Sequence, residues 1–175
     1  MADILIIPGY GATSESNWFP WLAREVEKQG RSALVFNPPS PTIPRLDDWL
    51  NDLKIDIDQL IDEPIIIGHS LGCVAAMHAV QKYELTAKKL ILVAPPYSSM
   101  GIGVLENFFK NQINFHQVSE LSGQVIIIGS EDDWIVPLDH VQEYGKQLKT
   151  KPLVYPANGH FMSLSFPEIM PLLFN

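Results

Sequence analysis

Six short apolar runs punctuate the chain: ILII (4–7), ALVF (33–36), PIIIG (64–68), KLILVA (89–94), QVIIIG (124–129) and PLVYP (152–156). Each is continuous rather than alternating with polar residues. That is the pattern of strands covered on both faces, and so of a parallel sheet between helices. Segments of helical period separate the runs. Residues 17–29 start at a candidate cap, Asn17, and stop before Gly30. Residues 43–61 place Ile43, Leu46, Leu50, Leu53, Ile57 and Leu60 on one face. Residues 71–83 are small and apolar, as a helix pressed against a sheet requires, and 137–149 and 163–173 complete the series. Strand alternating with helix predicts a single α/β domain over 1–175, with right-handed crossovers, a six-stranded mostly parallel sheet in the order 2-1-3-4-5-6, and helices on both faces. The Pro-rich NPPSPTIP (37–44) reads as a loop inside that domain.

At 175 residues, 46% of them apolar, the chain has material for one sizeable core. Its formal net charge of −8, with no basic run anywhere, argues against nucleic acid or an anionic membrane surface as partner, since both want a basic patch. The single cysteine, Cys73, cannot form an internal disulfide, and no Cys/His cluster has metal-ligand spacing. The start, MADILIIPGYG, has neither the basic end nor the long apolar run of a signal peptide. The expectation is a cytoplasmic protein without cofactor or metal.

The chemistry is concentrated in Gly68-His69-Ser70-Leu71-Gly72, a G-x-S-x-G run wedged between a strand and a helix. A nucleophile held on so tight a turn needs strained backbone, and bulk two residues to either side would collide with strand and helix. A serine there stands at a helix amino end, where free N–H groups can hold an oxyanion. Serine also needs a base, and the base an orienting acid. His69 lies inside the turn, too close to Ser70 to reach around to it. His78 is mid-helix, and His116 and His140 lie in polar stretches. His160, in the glycine-bearing loop YPANGHF after the last strand, is the candidate base. The loop after the fifth strand, GSEDDWIVP, offers two acids, Asp132 and Asp133. The loop after the first strand, IPGYG, offers the Tyr10 N–H as second oxyanion donor beside Leu71 N–H. It is not a dinucleotide fingerprint, because the third glycine is absent and no acid ends the second strand.

In this order and spacing the chain resembles the small α/β-hydrolases of the YdeN and retinoblastoma-binding protein 9 type of serine hydrolases. The matching stretches are IIPGYG with the later NWFPWL, the elbow IGHSLG, the acid loop GSEDDWIVP and the GH near the end. The resemblance implies a compact hydrolase without a large cap domain, with Ser70, Asp133 and His160 as triad. Asp133 is preferred to Asp132 because its D-x-x-V-P spacing matches the acid loop of the superfamily. Trp134 stands where the family often has proline, and it is expected to intrude on the pocket or to alter the approach of the acid.

The expected activity is hydrolysis of an ester, thioester or amide in a small molecule or peptide, through an acyl-enzyme on Ser70. Tyr10, Trp134 and Phe161 are expected to wall the substrate pocket. Two rivals stand beside it: acyl transfer by the same triad to an acceptor other than water, and a non-catalytic protein-interaction module on the same fold with Phe108 and Phe109 as partner site. Residues 97–118 follow the fourth strand on the face where open α/β sheets bind ligands. Their Val104, Leu105, Phe108 and Phe109 share a face at helical spacing. That face covers either the core or the mouth of the Ser70 pocket, as a rudimentary cap.

Overall fold

The structure, a computed structural model, describes residues 1–174. Six strands form one sheet: β1 (Ala2–Ile7), β2 (Ala33–Val35), β3 (Leu60–His69), β4 (Lys89–Val93), β5 (Val125–Ser130) and β6 (Leu153–Tyr155). Their spatial order is β2-β1-β3-β4-β5-β6, and every adjacent pair runs parallel. The helices are α1 (Phe19–Lys28), α2 (Leu46–Ile57), α3 (Leu71–Tyr83), α4 (Phe115–Leu121), α5 (Leu138–Gln147) and α6 (Met170–Phe174).

The continuous apolar runs are explained by two cores. On one face Leu5, Ile7, Ile66, Leu90, Leu92 and Ile127 pack with Trp49 and Leu53 of α2, Val74 and Met77 of α3, and Tyr144 of α5. On the other Ile4, Ile6, Ile65, Ile67, Ile91, Val93 and Ile128 pack with Phe19, Leu22 and Val26 of α1 and Leu173 of α6. Successive strand residues point to opposite faces, so a strand buried on both can spare no polar position. Helix α3 is covered on nearly every side, from Leu71 to Val80. Its glycine and alanines let it lie close to the sheet.

Several expected boundaries shift for identifiable reasons. Asn17 is not the cap of α1; it takes a left-handed φ of 51°, and Trp18 occupies the cap position without a side-chain bond. Helix α2 is shorter than 43–61 at both ends. Ile43 is exposed in the preceding loop, and Leu60 pairs with Ala2 of β1. The face shared by Val104, Leu105, Phe108 and Phe109 is not α-helical: Gly103–Phe108 is a 3-10 helix. The C-terminal segment is a one-turn 3-10 helix, Pro167–Ile169, leading into α6.

The strand order reverses direction between β1 and β3, since β2 lies on one side of β1 and β3–β6 on the other. In open α/β sheets that reversal leaves a crevice at the carboxyl ends of the strands. The loops that follow β1, β3, β4, β5 and β6 all open on that edge. Among the described residues no helix is long and apolar enough to cross a membrane.

Candidate active site

Ser70 sits at the step from β3 into α3, with φ 51° and ψ −124°. Serine rarely adopts such a conformation, which persists only where the surroundings over-determine it. Here they do. A Cβ at Gly72 would stand 2.1 Å from the Ile7 carbonyl oxygen, and one at Gly68 would stand 2.6 Å from Cys73 Cα. The turn is closed by Ser70 N–H donating to the Val93 carbonyl (2.8 Å) and Cys73 N–H to the Ser70 carbonyl (2.9 Å). Cys73 lies fully buried behind the turn, its thiol directed at the Gly68 and Val93 carbonyls. Burial raises its pKa well above the ordinary thiol value, so it stays a thiol and not a nucleophile.

The loop after β1 passes close over the elbow. A Cβ at Gly9 would be 2.8 Å from Ser70 Cβ and 3.5 Å from Leu71 N. No side chain fits between, so the backbone of Gly9 borders the serine directly. The first N–H groups of a helix lack intrahelical acceptors, and Leu71 is the first residue of α3.

His160 is almost inaccessible, and its Nδ1 lies 2.8 Å from Asp133 Oδ2 and 3.1 Å from Oδ1. Asp133 is held in turn, since its Oδ1 accepts the N–H groups of Ile135 and Val136, each at 2.9 Å. Asp132 faces elsewhere. Its Oδ1 accepts Ser130 Oγ–H at 2.6 Å and Gly159 N–H at 2.8 Å, binding the acid loop to the histidine loop. Those bonds, the Ser130 hydroxyl first, hold its carboxyl below the usual carboxylate range. The two acids, ambiguous in the sequence, therefore have separate tasks in space.

The remaining histidines are engaged otherwise. His78 Nε2–H donates to the Phe108 carbonyl (3.0 Å), His140 Nδ1 accepts Tyr97 N–H (3.0 Å), and His116 pairs with Glu120 on the surface of α4. His69 Nε2–H donates to the carbonyl of His160 itself at 2.9 Å. Burial, and next the nearby His160, lowers its pKa to about 3, so it is neutral.

Ser70, Leu71, Tyr10 and His160 border one cavity of about 340 Å³. Its apolar walls are Ala12, Met100, Ile102, Leu105, Ile135 and Met162, and among the described residues no Asp, Glu, Lys or Arg lines it. Of the expected pocket walls, Tyr10 borders this cavity. Phe161 is not: its ring is buried against Phe166 (centroids 5.1 Å) and Tyr155 (6.3 Å), and it anchors the histidine loop to the core. Trp134 does not intrude either. It is 72% exposed and lies across the outside of Gly159, while the next residue, Ile135, turns to the cavity. Sequence reasoning missed Ile135, Met162 and the polar Ser16 and Asn17, all on loops without periodicity. It also missed His69, whose position in the elbow was visible but whose partner was not. Phe108 is fully buried and cannot present a partner site.

This geometry is that of an α/β-hydrolase, and the chain belongs to the serine hydrolase family, whose sequence profile matches residues 4–171. The chain is 29% identical to YdeN of Bacillus subtilis (strain 168), over 99% of this chain and 93% of that one. It is also 29% identical to the serine hydrolase RBBP9 of Rattus norvegicus, over 95% and 90%. The crystal structure of the B. subtilis ydeN product superposes with a TM-score of 0.92, covering 99% of this chain and 97% of that one. Est1E of Butyrivibrio proteoclasticus, at 16% identity, shares the fold with a TM-score of 0.78 over 99% and 86%. Family membership makes the chain a hydrolase-type enzyme.

Proposed function

We propose that the chain is an esterase-type serine hydrolase in which Ser70 is the nucleophile, His160 the general base and Asp133 the acid that orients it. One observation carries this reading: a buried carboxylate–imidazole pair, 2.8 Å apart, borders the same cavity as a serine held in a strained turn. The Asp133 carboxylate can only accept, so the His160 hydrogen stays on Nδ1 and Nε2 is left bare to take a proton. As Ser70 Oγ attacks the substrate carbonyl carbon, its proton passes to His160 Nε2. The carbonyl oxygen, now an anion, is held by the N–H groups of Leu71 and Tyr10. His160 returns the proton to the leaving oxygen, sulfur or nitrogen, which departs and leaves an acyl group on Ser70. Water then attacks that acyl group, giving its proton to the same nitrogen, which passes it to Ser70 Oγ as the acyl–oxygen bond breaks and the acid is released.

The cavity wall supports neutral, apolar acyl groups. An anionic or cationic acyl group would lose its hydration without meeting a counter-charge. A volume of about 340 Å³ is at the small end for ligand pockets, which favours short or aryl chains. The test is covalent labelling with a fluorophosphonate, followed by p-nitrophenyl esters of graded chain length. The expected result is one labelled serine, lost in Ser70→Ala together with about 10⁴- to 10⁶-fold in kcat. Labelling that survives the Ser70→Ala change refutes the reading.

A further inference from the structure

His160 follows the edge strand β6, whereas Ser70 follows β3, and β4 and β5 lie between them. No regular element carries the histidine across that gap. Side chains do. Asp133 holds the ring of His160, and Asp132 holds Gly159 N–H. Trp18 Nε1–H donates to the Phe161 carbonyl at 2.9 Å, and His69 Nε2–H donates to the His160 carbonyl at 2.9 Å. The first two anchors come from the loop after β5, and Trp18 comes from the start of α1. His69 alone among the four belongs to the elbow, one peptide bond from the nucleophile.

The His69 ring is enclosed by Trp18 (centroids 6.0 Å), Phe19 (5.8 Å) and His160 (5.0 Å). Its Nδ1 is buried without a hydrogen-bond partner among the described residues. A carbonyl oxygen only accepts, so Nε2 must carry the hydrogen and Nδ1 the bare lone pair. A leucine would fill much of that space without leaving a buried nitrogen unmet, and unmet buried polar groups are destabilising. What the imidazole adds is the bond to the His160 backbone.

We propose that His69 is a positioning residue of the hydrolytic centre, whose Nε2–H bond to the His160 carbonyl ties the general base to the nucleophile's own backbone and sets the approach of the imidazole to Ser70 Oγ. The proposal rests on the triad reading above. Its chemistry suits the task. Burial keeps His69 neutral, so no second cation stands beside His160 when that ring takes up the serine proton. An always-charged donor at the same place would oppose the imidazolium.

The test compares His69→Leu, which removes the donor, with His69→Gln, whose carboxamide N–H can reach the same carbonyl. Each is assayed by ester hydrolysis per fluorophosphonate-titrated site, alongside thermal melting. Misplacing a catalytic group by about 1 Å can cost on the order of 10²-fold. His69→Leu should therefore lose roughly 10- to 100-fold in kcat per titrated site with KM little changed, and His69→Gln should recover most of it. A kcat per site within about twofold of the parent in His69→Leu overturns the proposal, because a purely packing role lowers melting without touching the titrated sites. If His69→Leu does not fold, long-range ¹H–¹⁵N NMR of the unaltered protein decides. The Nε2–H tautomer at His69 supports the proposal; the Nδ1–H tautomer overturns it, since Nε2 could not then donate. Failure of fluorophosphonate to label the parent refutes the triad reading and this proposal with it. A labelled parent with an unaffected leucine variant refutes this proposal alone.

Discussion

Asparagine at position 133 would reverse the polarity of one hydrogen bond and leave the others intact. In the native chain Asp133 Oδ1 accepts two backbone N–H groups, from Ile135 and Val136, at 2.9 Å each. The Oδ2 oxygen lies 2.8 Å from His160 Nδ1. In Asp133→Asn the amide oxygen is the atom able to keep both backbone bonds, so the NH₂ is left facing Nδ1. An NH₂ group donates, and Nδ1 must then be bare to receive it. The single imidazole hydrogen of His160 is displaced to Nε2, the nitrogen that accepts the Ser70 proton in the proposed mechanism. The expected loss is about 10⁴-fold in kcat, as for a wrong-tautomer triad, or about 5 kcal/mol in the barrier. Folding should hardly change, because each bond has a replacement of similar geometry. Asp132→Asn is the control. Its amide oxygen can still accept Ser130 Oγ–H and Gly159 N–H, so kcat should fall less than about tenfold. Initial rates on a p-nitrophenyl ester and the second-order rate of fluorophosphonate labelling measure both variants, with melting curves as the folding check. A mild Asp133→Asn beside a crippled Asp132→Asn would refute the reasoning and exchange the roles of the two acids.

Further outcomes follow from burial and charge. Phe108→Ala should cost about 3–5 kcal/mol of stability, as truncation of a fully buried aromatic does, and leave acyl-chain preference unchanged. Ile102→Ala, half-exposed at the cavity, should shift chain-length preference in kcat/KM with melting nearly intact; the opposite pattern in the two variants would overturn the division of that segment. Stability should also fall in acid through His69. Its folded pKa of about 3 lies below the ordinary value of 6.5, so the unfolded chain binds the extra proton between those values. The contribution is complete above pH 6.5 and declines as pH drops, by up to about 1.4 kcal/mol per pH unit. Urea midpoints at pH 7 and 5 should therefore separate the parent from His69→Gln, and equal pH slopes would refute the assignment.

The central strands were legible because burial on both faces leaves no polar position in their middles, so Ile65-Ile66-Ile67 or Ile126-Ile127-Ile128 announces itself without a period, whereas the edge strand β6 is apolar although Leu153 and Val154 are exposed. The elbow was legible because its glycine spacing survives as a short motif, although only Gly68 is small for a local reason, Cys73 five residues on, while Gly72 is small because the Ile7 carbonyl of β1 lies against it. Tertiary reasons were not legible. Leu60 continues the apolar face of α2 in sequence, yet it pairs with Ala2, because strand pairing overrides helical period there. Asp132 and Asp133 are chemically identical, and only the position of Gly159 N–H and of the His160 ring divides them. The cavity walls were the least accessible. Trp134 and Ile135 are adjacent on an irregular loop, and no periodicity tells which one turns inward. Phe161 looked like a pocket residue because it follows His160, but its left-handed φ of 53° turns its ring back to the core. His69 was judged by its reach to Ser70, while its partner lies 91 residues away.

The stretch after β4 shows how pocket and core are joined. Its apolar residues suggested an α-helical face, either lid or core. In the 3-10 geometry that it adopts, residues three apart eclipse one another. Ile102, just before the helix, and then Leu105 and Phe108 therefore form one row. The first two border the cavity, and the third is locked under the surface. Phe108 meets Trp49 of α2 edge-on at 5.1 Å, and its carbonyl receives His78 Nε2–H from α3. This wall of the Ser70 cavity is thus continuous with the core that holds α2 and α3 together. A wall so anchored cannot swing like a lid without opening the core. On the proposed hydrolase reading, this side of the acyl cavity is set by core packing, and it meets the substrate as a preformed wall and not as a closing lid.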